Sequence, residues 1–151
     1  MVRSERCERW KSLVRVTTFG LMADQMLLIL EKLEQGKPLD EADKALLSRA
    51  QYRLLPLMAV AQLSEAEFLP VDPIELEHQV NYCLFVDWVR NVTETPPDHS
   101  ELLLRISSGL MMLEAGRDLP EEDEVFLKKI FTAISDCATA THNALLVQYA
   151  H

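Results

Sequence analysis

The sequence predicts an all-α protein: a six-helix bundle built from two repeated three-helix units. Three observations lead there. The stretch from Leu30 to Leu47, LEKLEQGKPLDEADKALL, recurs eighty residues later from Leu110 to Leu127 as LMMLEAGRDLPEEDEVFL. Leu30, Leu33, Glu34, Gly36, Leu39, Glu41, Asp43 and Leu47 return as Leu110, Leu113, Glu114, Gly116, Leu119, Glu121, Asp123 and Leu127. Apolar residues elsewhere keep spacings of three and four, and no run alternates with period two for long. Gly and Pro are few, at 4 and 7, which suits helices joined by few turns. At 151 residues the chain is expected to form one domain with a real core, repeat one covering 1–70 and repeat two 71–151.

Each copy of the repeated stretch reads as a helix end, a tight turn and a helix start. Gly36 and Gly116 suit the left-handed position just past a helix, where a β-carbon is costly. Pro38 and Pro120 are excluded from a helix interior but tolerated in the turn or at a first helical position. The acidic runs that follow (Asp40, Glu41, Asp43; Glu121, Glu122, Asp123, Glu124) fall near the positive end of the next helix, where each is stabilising by roughly 0.3–1 kcal/mol. Their spacing does not build a calcium loop: oxygen ligands do not alternate around a central glycine.

Taken in order, Ser4 to Val16 is expected to be a first helix, capped by Ser4, with Cys7, Trp10, Leu13 and Val14 on one face. It is locally basic (Arg3, Arg6, Arg9, Lys11, Arg15), although Glu5 and Glu8 interrupt the patch. The β-branched VRVTTFG stretch is read as a break or kink, with Thr17 or Thr18 capping a second helix. That helix carries Phe19, Met22, Ala23, Met26, Leu27, Leu30 and Leu33 to Gly36. A third helix starts near Asp40 and buries Leu47, Ala50, Leu54, Leu57 and Ala61, with Leu46, Gln51, Leu55 and Met58 beside them. Pro56 should kink or split it. FLPVDP, residues 68–73, joins the halves.

The fourth helix, 74–92, is apolar on two sides: Ile74, His78, Tyr82, Phe85, Val89 and Val92 on one, Leu76, Val80 and Cys83 on the other. Such a helix is expected at the centre of its bundle. TETPPDHS, residues 93–100, is a turn in which Asp98 or Ser100 caps the fifth helix, 102–113. A long sixth helix runs from Pro120 to about Ala150, with Ala133, Ala138, Ala140 and Ala144 allowing close approach of a neighbour.

Charge narrows the function classes. The net charge of −9 is uneven: residues 1–70 carry 10 basic and 10 acidic side chains, residues 71–151 carry 5 and 14. The second half is therefore a poor surface for nucleic acid; it suits a basic protein partner or mimicry of the charge of DNA, with solubility the simplest alternative. No segment has the length and apolarity of a transmembrane span, and the basic N-terminus lacks the apolar core of a secretory signal. Three scattered cysteines (Cys7, Cys83, Cys137) read as reduced thiols of a cytoplasmic protein.

Chemistry-bearing motifs are sparse. Glu75 and His78 form one Glu-x-x-His pair, weak metal candidates, because the second pair and the inward glutamates of a di-iron bundle are missing. His78–Cys83 and Cys137–His142 are spaced by five, about 140° apart on a helix, too far to grip one ion. There is no phosphate loop and no nucleophile elbow. The expectation is a non-catalytic protein–protein interaction module of adaptor, immunity or inhibitor type, with no cofactor. Its candidate binding residues are Glu121, Glu122, Asp123 and Glu124, together with the adaptable Met111 and Met112. A homodimer is expected if one apolar stripe stays uncovered. Two alternatives remain: a ligand- or metal-binding bundle around Glu75, His78 and Tyr82, and a nucleic-acid-associated regulator acting through the basic first helix.

Overall fold

A computed structural model describes residues 2–63, 73–92 and 98–149; within them, side chains are described for Val16, 18–63, 73–92 and 98–148. These residues form five helices: α1 (Val2–Glu34), α2 (Glu41–Ala61), α3 (Pro73–Trp88), α4 (His99–Glu114) and α5 (Glu121–Tyr149). There is no strand among them, so the all-α class holds. The joint at 68–72, the turn at 93–97, and the side chains assigned to the cap, apolar face and basic patch of the first helix lie outside the described residues.

The six-helix expectation is corrected to five. The VRVTTFG stretch does not break: α1 runs through it for 33 residues. The helix penalty of β-branched residues is only a few tenths of a kcal/mol each. Against it stands the packing of α1 along α5, in which Val16, Met22, Ala23 and Met26 are buried. Pro56 likewise does not split α2, whose flanking Leu54 and Leu57 are each 1% exposed and anchor the helix on both sides of it.

The two turns are built alike. Gly36 and Gly116 have φ of 70° and 73°. After α1, the Gly36 amide bonds to the Leu33 carbonyl and the Lys37 amide to that of Lys32; after α4, Gly116 bonds to Leu113 and Arg117 to Met112. This is the Schellman closure, which satisfies carbonyls that a helix end leaves open. The helix starts differ. Asp40 caps α2, and Asp40 and Asp43 exchange backbone-to-carboxylate bonds of 2.8 and 3.0 Å. Pro120 takes the equivalent place before α5 and has no side-chain cap to offer. Asp98 caps α4, accepting from the Ser100 and Glu101 amides.

Packing crosses between the two halves of the sequence. α1 packs chiefly along α5, and α4 along α2. α1 meets α5 closely at Gly20, where an added β-carbon would lie 3.1 Å from that of Ala138. Leu47, Leu103, Ile106, Leu127, Ile130, Phe131 and Ile134 fill the shared interior with no exposure. The expected central position of the fourth helix is not what is found. α3 and the turn after it bury Phe85, Trp88 and Val89, with Trp88 edge-on to Phe19 at 5.8 Å. The other apolar side of α3, Leu76, Val80 and Cys83, is exposed.

Candidate interaction surface

The acidic start of α5 splits into two roles. Glu121 and Glu122 are exposed and Glu124 is half-buried. Asp123 is instead tied to Arg105 of α4, whose Nε and terminal nitrogen donate to it at 3.1 and 3.0 Å. The same guanidinium lies 3.9 Å above the Phe126 ring. Asp123 therefore staples α4 to α5, a structural role that removes it from the set of free carboxylates.

Glu121 and Glu124 line an open groove of about 820 Å³ over the outer face of α5. Val92, Val125 and Ala133 give it apolar surface, and Glu34 and Asp136 add two more carboxylates. Lys128 and Lys129 are its cations. Lys128 donates to Glu34 at 2.8 Å, and that bond with the Glu34 charge holds its ammonium above the ordinary lysine range. Four carboxylates against two ammonium groups leave the groove negative. Glu122 and Asp123 do not line it.

The two methionines lie on α4, apart from the groove's lining. Met111 is 57% exposed, and Met112 is half-buried. Met22 and Met26 are core residues.

The residues proposed around an internal pocket are not brought together. His78 lines a small cleft of about 290 Å³ between α1, α2 and α3, with Phe19, Arg53, Pro56, Glu77 and Asn81 among its other walls. Glu75 is exposed and is not part of it. Tyr82 packs edge-on against His99 at 6.3 Å, and burial pushes its hydroxyl above the usual value. Among the described residues, no three or more His, Cys, Asp or Glu side chains gather as metal ligands do. Cys137 donates to the Trp88 carbonyl at 3.8 Å, and burial raises its thiol pKa, which suppresses the thiolate needed for nucleophilic chemistry. No described helix is long and apolar enough to cross a membrane.

Sequence reasoning missed the exposure of Leu55 and Leu104. Leu55 was grouped beside the buried face of its helix; it is 54% exposed, and Leu104 is 56% exposed. A tighter reading of phase catches Leu55, which at 100° per residue lies about 80–160° from each member of the Leu47–Ala50–Leu54–Leu57 stripe.

Comparison with protein-family models, with curated proteins and with solved structures finds no match for this chain.

Proposed function

We infer that the chain is a non-catalytic protein–protein interaction module, of adaptor, immunity or inhibitor type, that receives a basic helix or peptide in the groove over α5. The observation that carries this is the groove itself: a concave, partly apolar surface ringed by Glu34, Glu121, Glu124 and Asp136. A partner presenting Lys or Arg around an apolar residue meets complementary chemistry there. The acidic second half of the chain would speed its encounter, an effect that weakens with salt. The two matching turns also favour duplication of a helical unit as the origin of the scaffold.

The test is charge reversal. A partner captured from the native source is bound to the wild type and to the Glu121→Lys/Glu122→Lys/Glu124→Lys variant. Loss of binding with unchanged circular dichroism supports the acidic face; equal retention removes it.

The cleft beside His78 favours a second reading, a small-ligand site, since its volume is at the lower end for such pockets. Native mass spectrometry decides this: an added mass of hundreds of daltons, lost on widening the cleft wall with Phe19→Ala, is the outcome that reading requires.

A further inference from the structure

The outward side of the α2–α4 pair carries an apolar strip that neither the core nor the groove over α5 uses. Tyr52 is 72% exposed, Leu55 54%, Leu104 56% and Met111 57%. Side-chain bonds fix the register of the pair at both ends: Gln51 donates to Glu114, and Gln62 to Ser100. The helices are therefore antiparallel. Tyr52 comes level with Met111, and Leu55 lies between that level and the level of Leu104. At about 100° per residue, all four fall on the side of the contact line away from the buried Leu54, Leu57, Leu103 and Ile106. They form one continuous strip.

The α1–α5 pair supplies an internal control. With the eighty-residue offset of the repeated stretch, Leu104 corresponds to Asp24, Leu55 to Ser135, Met111 to Glu31 and Tyr52 to Thr132. There, the Ser135 hydroxyl donates to Asp24 at 2.5 Å. That bond shows two such positions meeting across a helix pair, and a pair that packs well with polar groups in them. Nothing in the packing of α2 on α4 requires leucines there. Apolar side chains left in water at these positions call for burial against something outside the chain.

We propose that this strip docks a second copy of the same chain, face to face about a two-fold axis. Charge selects that occupant. With a net charge of −9, two copies repel across any face that bears carboxylates. The strip itself bears none: Glu114 is turned into the pair against Gln51, and the exposed charges at its outer edges are one of each sign, Arg49 on α2 and Glu101 on α4. Size agrees with it. From Ala45 to Ala59, α2 covers about 21 Å at 1.5 Å per residue, and two helices side by side give roughly 500 Å² per copy. Counted on both copies, that reaches about 1,000 Å², the floor for a biological interface and the small end of the dimer range. Two antiparallel helix pairs laid face to face also form a four-helix layer, the usual way such faces are buried.

The proposal is independent of the groove over α5, and the experiment separates the two. The mass of the full chain is measured by light scattering at micromolar concentration. Wild type is expected at twice 17.2 kDa. Leu104→Asp and Ser108→Arg, both at exposed positions of α4, are expected at 17.2 kDa with unchanged helical circular dichroism. Leu28→Asp, on the outer side of α1, and the Glu121/Glu122/Glu124→Lys variant are expected to remain dimers. A monomeric wild type overturns the proposal. So does a dimer that survives both strip substitutions, or one that Leu28→Asp dissociates equally. A monomer that loses a different, captured protein on Leu104→Asp assigns the strip to that protein instead.

Discussion

Asp43 is the most informative single position in the scaffold. It is a carboxylate only 6% exposed, and three hydrogen bonds from two donor groups converge on it. Lys32, in the last turn of α1, donates from Nζ at 3.0 and 2.8 Å, and the Asp40 amide donates at 3.0 Å. One side chain thus closes the cap of α2 and fastens α2 to the end of α1. Asp43→Ala removes the acceptor for the Asp40 amide, and cap losses of this kind cost about 1 kcal/mol. In a domain of this size, that lowers the melting temperature by about 2–4 °C. The pH dependence carries more information. The Lys32 hydrogen bond, with the Asp40 amide assisting, holds the Asp43 carboxyl below its ordinary value of 3.8. A carboxyl depressed on folding stabilises the protein above its unfolded-state value, and that stabilisation is lost as pH falls through its folded-state value. The stability gap between wild type and Asp43→Ala, measured by urea unfolding, should therefore be constant from neutral pH down to about 5 and narrow progressively below that, as the carboxyl protonates first in the unfolded and then in the folded state. A gap that is the same at neutral pH and well below 3.8 would mean that the Lys32–Asp43 contact contributes nothing through its charge, and would refute the reasoning.

Further outcomes follow from the turns, the close helix approach and the thiols. Gly36→Ala and Gly116→Ala should each cost about 1–2 kcal/mol in chemical unfolding. An added β-carbon meets nothing within 4 Å at either glycine, so the whole cost is the positive φ. Gly20→Leu should destabilise by about 1–3 kcal/mol, because α1 and α5 must part to admit the side chain. Gly20→Ala is the sharper comparison: the helix preference for alanine favours it by about 1 kcal/mol, and the 3.1 Å approach to Ala138 opposes it. In a Cys7→Ser background, timed alkylation read by mass spectrometry should label the exposed Cys83 well before Cys137, whose thiol burial holds protonated.

The parts of the fold that were legible are those written in short-range chemistry. Gly36 and Gly116 each needed a left-handed conformation, and both are found there with the bonds a helix end demands. Asp98 as a cap could be read from the same kind of signal. The break expected at VRVTTFG was illegible because local preference there is weak. A few tenths of a kcal/mol per β-branched residue decides nothing once Val16, Met22 and Met26 are buried against a helix a hundred residues away. The acidic run was legible as charge but not as function: the residues differ in what they face, and Asp123 was lost to Arg105, eighteen positions back on α4.

Helix pairing explains most of what remained hidden. Nothing in the periodicity of α1 says that it packs along α5 rather than along its neighbour α2, because an apolar stripe has no address. The residues that specify the pairing are polar or absent: Gly20 opposite Ala138, Asp24 bonded to Ser135, Glu34 to Lys128 on one side, and Gln51 to Glu114 on the other. Each is unremarkable until its partner is known. The same fact accounts for α3. Its two apolar sides suggested a central helix, yet the crossed pairing of α1 with α5 and α2 with α4 already fills the interior. α3 and the turn after it are left to cover the edge through Phe85, Trp88 and Val89, with Leu76 and Val80 outside. Apolar count therefore overstated burial twice in this chain, on α3 and on the α2–α4 strip. Only on the strip does the matching helix pair carry Asp24 and Ser135 at the corresponding positions, which separates a surface that tolerates leucine from one that has a use for it.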